Sequence, residues 1–260
     1  VMFQSCDAGL PGYMVLFGTG KYLEATDLTS TDDQTMYGIW DFGDDSDSSE
    51  YLGAFTRPGL GNQVGVTLVE QTLEVDINEI INGVTKRVRV LTDNPMDWTT
   101  QTDGGGEDNP SVNAGWFFDL PESGERLTEA PGIRDGRLFF ISWIPNADPC
   151  ASGGDSIYHE SNACTGGRVN DPVFDIRGDG TGIADGRVDE HDLITVTDAS
   201  GNLISVSPTG IWHDRLMFVP RWVDDLQSDT AIGYAVDSQG NIIPIRDIGE
   251  RLGINYWREW

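Results

Sequence analysis

Alternation between apolar and polar residues constrains this chain more than any other feature. Helical periodicity is scarce. Short apolar-alternating runs recur instead, separated by turns rich in Gly, Asp and Asn. "LVEQTLEVDINEI" and "VTKRVRVL" flank Asn82-Gly83, a dipeptide that favours the two-residue turn of a β-hairpin. In that hairpin Leu73, Val75 and Ile77 are expected on one face, and Glu74 and Asp76 on the other. "LITVT" and "NLISVS" are expected to pair across Asp198–Gly201, and "IGYAVD" and "NIIPIRDI" across Ser238–Gly240. "YGIWDF", "GWFFDL", "RLFFISWI" and "RLMFVPRWV" read as further strands. The 32 glycines and 12 prolines fall mainly between these runs. Many short strands joined by such turns indicate an all-β sandwich, barrel or propeller. The eight tryptophans lie mostly on or beside strands, and core packing is the expectation for each. Residues 41–51 and 92–110 read as acidic, irregular loops.

The chain of 260 residues is long enough for a sizeable core. No apolar run approaches the ~20 residues of a membrane-spanning helix. The first residue is Val and no leader sequence is recognisable, as expected of a mature, processed or excerpted product. "VLFGTGKYLEATD" (15–27) superficially suggests a phosphate loop. The Walker pattern needs Gly where Val15 stands and Ser or Thr where Tyr22 stands, and the dinucleotide pattern needs Gly at Leu23. The segment therefore reads as a buried strand and its exit turn.

There are 16 basic against 43 acidic residues, a formal net charge of −27. Such a surface repels nucleic-acid phosphates and anionic lipid, so neither nucleic acid nor membrane insertion is expected. A solvated acidic surface accounts for most of these carboxylates; a divalent cation is the natural partner for a few.

Catalytic signals are thin. The three histidines, His159, His191 and His213, stand in no recognisable nucleophile order, and "GGDSI" lacks the second glycine of a nucleophile elbow. Acid pairs arise by chance among so many carboxylates. The cysteines, Cys6, Cys150 and Cys164, form no CxxC pair, which argues against zinc. Cys150 and Cys164 enclose a loop that a disulfide could close, leaving Cys6 over.

The informative segment is "FDIRGDGTGIADGRVDEHDLI" (174–194). Calcium requires six to eight oxygens, and loops supply them from carboxylates at alternate positions before a sharp glycine turn. Asp175 stands at position 1, Asp179 at position 5, Gly180 at the turn and Thr181 at position 7, where its carbonyl is a ligand. The closing carboxylate would be Asp185, Asp189 or Asp192, since position 12 is Gly186. Arg177 occupies a position usually held by Asp or Asn, which predicts weak binding, at ~10⁻⁴–10⁻³ M. The competing reading is an acidic turn braced by its own Asx hydrogen bonds.

"GYMVLFGTGKYLEATD", "TMYGIWD", "GWFFDLPESGERL", "GRLFFISWIPNADPCASGGDS", "DPVFDIRGDG" and "NYWREW" together resemble, in order, the C-terminal domain of PilY-type proteins of type IV pili. The resemblance runs from Gly12 to Trp260. It implies an all-β, β-propeller-like fold of the quinoprotein-dehydrogenase kind, with residues 1–260 forming an incomplete portion of a larger propeller. It further implies an extracellular, pilus-tip or cell-surface adhesin and assembly factor that binds Ca2+ and acts without turnover. Its partners would be the N-terminal remainder of the same protein, pilin or filament subunits, or a surface receptor. Asp175, Asp179 and Gly180 match the family's calcium core, whereas Arg177 departs from it and residues 181–187 look inserted. "IYHESNAC" departs from the regular strand usual at that place in the family. An oxidising location would pair Cys150 with Cys164 and leave Cys6 as a tether to another chain. About ten to twelve strands make roughly three blades, too few to close a ring. The rival functions are a quinoprotein-like propeller enzyme and a structural acidic surface protein without a specific ligand.

Overall fold

The computed structural model describes residues 2–4, 6, 12–41, 66–81, 83–102, 108–146, 153–177, 185, 187–198, 200–224 and 230–248. Its strands, in chain order, are β1 (Met2–Gln4), β2 (Tyr13–Gly18), β3 (Thr35–Asp41), β4 (Thr67–Gln71), β5 (Leu73–Ile81), β6 (Val84–Leu91) and β7 (Thr100–Thr102). There follow β8 (Asp108–Pro110), β9 (Asn113–Asp119), β10 (Arg126–Leu127), β11 (Gly132–Arg134), β12 (Arg137–Pro145) and β13 (Gly154–Asn162). The last are β14 (Ile194–Thr197), β15 (Leu203–Val206), β16 (Gly210–His213), β17 (Arg221–Asp224), β18 (Thr230–Val236) and β19 (Ile242–Ile248). Two short 3₁₀ turns, Ala25–Leu28 and Glu190–Asp192, complete the regular structure among the described residues.

The strands form stacked sheets. A five-stranded sheet, β1-β2-β3-β9-β4, packs on a seven-stranded sheet ordered β10-β12-β13-β16-β6-β5, with β11 also paired to β12. A three-stranded sheet, β17-β18-β19, and the β14-β15 hairpin cover the opposite face, while β7 and β8 pair as a separate ribbon. "RLFFISWI" is almost continuously apolar because β12 is buried on both faces. Leu138 and Phe140 enter the core shared with the five-stranded sheet; Phe139, Ile141 and Trp143 enter the other core. Gly38 and Gly166 let the Trp116 indole lie flat between them, since a Cβ at either would sit 2.2–2.3 Å from the ring.

The Asn82-Gly83 hairpin forms as expected, with β5 antiparallel to β6. The preceding strand, however, breaks in two. Residues 67–71 join the five-stranded sheet, parallel to β9, while Leu73 onwards belongs to the seven-stranded sheet. Buried Gln71 clamps this crossing: its Nε2 donates to the carbonyls of Asn94 (2.7 Å) and Thr165 (2.8 Å), and its Oε1 accepts from Thr92 Oγ1 (2.8 Å) and Asn94 N (3.0 Å). A register shift between Leu73 and Val75 then sends Leu73 into one core and Val75 and Ile77 into the other, so the three do not share one environment. "RLMFVPRWV" is likewise no single strand. Met217 makes one isolated bridge to Asp237, and β17 starts only after Pro220.

The cysteine pairing is corrected. Cys6 bonds to Cys164, 158 residues away, with Cα atoms 5.4 Å apart. Cys150 lies outside the described residues. The stretch expected as a disulfide-closed loop, "GDSIYHESN", is instead the nine-residue strand β13 in the middle of the large sheet. An extended strand of that length separates its ends by about 26 Å, whereas a disulfide needs Cα atoms within about 7 Å. Cys6 is therefore spent inside the chain and is not a tether to another one.

Candidate functional site

The hydroxyl of Ser142, on β12, lies 3.0 Å from His159 Nε2, on β13, and donates to Glu125 Oε1 at 2.5 Å. Glu125 also accepts twice from Arg89 Nη1, at 2.8 and 3.0 Å. Serine, histidine and carboxylate invite comparison with a hydrolase triad, and the geometry argues against it. The serine proton goes to the carboxylate and not to the imidazole, and all three residues are at most 1% exposed. No substrate reaches them. The His159 ring stacks on Phe140 with centroids 4.4 Å apart, filling the layer between the two large sheets. Burial alone would raise the Glu125 carboxyl, but His159 and Arg89 hold it down at about 2. His159 is lowered as well, because burial disfavours its charged form more than the neighbouring Glu125 favours it.

The acidic segment lies along the opposite face of the large sheet. Asp175 follows Phe174 and is 5% exposed. The backbone N–H of Asp185 donates to Asp175 Oδ1 at 3.1 Å, so two of the expected ligand positions meet across ten residues. Asp192 is buried and braces the loop: its Oδ1 accepts from the N–H groups of Ile176 (2.7 Å) and Arg177 (2.8 Å), and its Oδ2 from that of Asp189 (3.0 Å). Burial raises the Asp192 carboxyl, against the pull of those amides. Asp189 caps the 3₁₀ turn by accepting from His191 N at 2.9 Å, the bond that chiefly lowers its pKa. Asp179, Gly180 and Thr181 lie outside the described residues. Arg177 does not enter the loop; its guanidinium pairs with Glu79 on β5. Among the described residues no three His, Cys, Asp or Glu side chains converge as a metal cage. Asp175 and Asp185 carry carboxylate oxygens, the donor type a hard cation takes, and the Arg177 guanidinium is paired with Glu79 away from them.

Asp175 also lines a cavity of about 320 Å³ between the large sheet and β19. Its floor is Ile81, Tyr158, Phe174, Ile211 and Ile245; Lys86, His213, Asp214 and Arg215 add charge and polarity. Sequence reasoning missed this site, because its residues come from five separate segments and carry no motif.

A family model described as the PilY1 beta-propeller domain matches residues 5–81. The type IV pilus biogenesis factor PilY1 of Pseudomonas aeruginosa PAO1 is 33% identical over 172 residues. The chain is related to PilY1. That match covers 64% of this chain and 14% of the relative, so the chain spans only a small part of the PilY1 length. A PilY1 homolog of Xylella fastidiosa is 29% identical over 162 residues, covering 60% of this chain and 9% of that protein. The crystal structure of the P. aeruginosa PilY1 C-terminal domain superposes with a TM-score of 0.63 at 22% identity, over 91% of this chain and 42% of that one. The fold is therefore the expected all-β, PilY1-type propeller architecture, of which this chain supplies a portion. No helix among the described residues is long and apolar enough to cross a membrane.

Proposed function

We propose that this chain is the calcium-binding propeller portion, residues 1–260, of a pilus-associated biogenesis factor, and that it works by binding at the filament tip or cell surface outside the cell. The observation that carries the reading is the 33% identity to a type IV pilus biogenesis factor. The sealed Ser142–His159–Glu125 cluster speaks for scaffold over turnover, and the disulfide suits an oxidising, extracellular setting. Grafting the chain in place of the matching segment of P. aeruginosa PilY1 tests the role. Surface piliation restored relative to a segment deletion supports it; piliation no better than the deletion overturns it.

Calcium would be held by Asp175, Asp179 and the Thr181 carbonyl, with Asp185 closing the site. Asp192 serves as a brace, since both of its oxygens accept backbone N–H groups, and Asp189 serves as the cap of the 3₁₀ turn. Pairing of Arg177 with Glu79 removes the reason to expect weak binding, and affinity tighter than ~10⁻⁴ M follows. At free calcium 100 times the dissociation constant the ion stabilises the fold by about 2.7 kcal/mol. Melting temperatures should therefore be higher in calcium than in chelator for the wild type, and equal for Asp179→Ala. A wild type that melts identically in both conditions contains an acidic turn and no ion site.

A further inference from the structure

We infer that the cavity between the large sheet and β19 binds a small amphipathic anion, a carboxylate carried on an apolar chain of about eight carbons. Three observations converge on this. The first is shape: at about 320 Å³ the cavity accommodates about ten heavy atoms, taking ~30 Å³ for each. The second is the lining, an apolar floor of Ile81, Phe174, Ile211 and Ile245 with polar groups at one side, the usual make-up of a small-molecule site.

The third is charge. In a chain with only 16 basic residues, Lys86 and Arg215 both line this one cavity. Arg215 is neutralised: its Nη1 lies 3.0 Å from Asp237 Oδ2. Lys86 is not. It stands opposite Glu79 in the β5–β6 ladder, but the Glu79 carboxylate is taken by Arg177. Among the described residues Lys86 is in no ion pair, although it is half-buried and shares its strand face with the core residue Val88. A half-buried ammonium without a counter-charge is costly, and an entering carboxylate removes that cost.

Three carboxylates, Asp175, Asp214 and Asp237, also line the cavity, so an anion must seat its carboxylate directly at Lys86 and His213, away from them. Asp237 accepts from Gln239 N (2.9 Å), Asn241 N (2.8 Å), Asn241 Nδ2 (2.8 Å) and Arg215. Asp175 accepts from the Asp185 amide, and Asp214 is exposed. His213, pushed down to about 4 by burial and by Lys86, is neutral at pH 7 and free to hydrogen-bond a ligand oxygen.

Calorimetric titration of the full chain with octanoate, octylammonium and octanol tests the inference, in calcium and again in chelator so that the ion site and the cavity are read separately. Octanoate should bind at least tenfold more tightly than the other two. Lys86→Gln should weaken it by about tenfold, the worth of one charge-assisted hydrogen bond, and Lys86→Arg should retain it. Amide shifts on octanoate addition should centre on Lys86, Ile211, His213 and Ile245. Equal binding of octylammonium, unchanged affinity in Lys86→Gln, shifts centred elsewhere, or no binding at millimolar octanoate would each overturn it.

Discussion

Arg89 is a large cation with 1% of its surface exposed, and its neighbours explain how the fold tolerates it. Glu125 takes two hydrogen bonds from it, Glu122 lies 3.4 Å away, and the Trp212 ring sits 5.3 Å from its guanidinium carbon. Breaking a buried pair by removing one partner costs ~3–5 kcal/mol, because the other charge is left uncompensated. Arg89→Met should destabilise by that amount in chemical denaturation. Arg89→Met/Glu125→Gln together should recover a large part of the loss, and a double variant no better than the single one would contradict the pairing argument. Acid acts on the same cluster. Glu125 drops from an ordinary 4.5 to about 2 in the fold, so its contribution of roughly 3 kcal/mol is present above pH 4.5 and is lost as pH falls through 2. His159 and His213 are both lowered from 6.5, so the unfolded chain binds their protons first. Stability should consequently decline in two stages, gently below pH 6.5 and steeply below pH 4.5, as read by urea midpoints across that range. A midpoint constant from pH 7 to pH 3 would count against buried, neutral histidines.

At the scale of elements, one motif recurs where strands turn. Asp198 and Asp237 each open a D-x-x-G-N hairpin. In both, the aspartate Oδ1 accepts from the N–H groups two and four residues on, and the glycine adopts a positive φ, 85° at Gly201 and 83° at Gly240. These turns were readable as strand connections, but their shared hydrogen-bond scheme was not. The Cys6–Cys164 bridge works over a longer range, holding the chain next to β1 against the end of β13. Closing 158 residues contributes up to ~5 kcal/mol in the chain-entropy model. Cys6→Ser should lower the melting temperature by about 10 °C, at about 2–4 °C per kcal/mol for a chain of this size. Alkylation of the unreduced, denatured protein should modify Cys150 alone. Modification of Cys6 in that experiment would rule the bridge out.

The whole molecule leaves apolar surface at both ends of its stack of sheets. On the five-stranded sheet Tyr13 and Phe17 are 43% and 41% exposed, and Phe17 stacks on Tyr37 at 5.3 Å. On the three-stranded sheet Val223, Tyr234, Val236 and Ile242 are exposed. Propeller blades bury such faces against one another, and the solved PilY1 domain is more than twice the length matched here. Such faces suit cover by another β-sheet. The isolated chain should accordingly self-associate at micromolar concentration in sedimentation, and Tyr13→Lys/Phe17→Lys should reduce that association. A monodisperse monomer whose sedimentation the double substitution leaves unchanged would refute the reading.

Period-two alternation, the Asn82-Gly83 and Gly201 turns and the absence of helical stripes determined the all-β class and most strand positions, because those signals are local. What tertiary structure alone decided were choices between partners distant in the chain. Cys164 bonded to Cys6 because β13 is extended, Thr72 became a crossing because Gln71 found acceptors at Asn94 and Thr165, and Arg177 left the loop because Glu79 lies across from it. Lys86, His213 and Arg215 became a site only when the large sheet met β19. Local pattern specifies which face a residue turns to the interior; only packing specifies what it meets there.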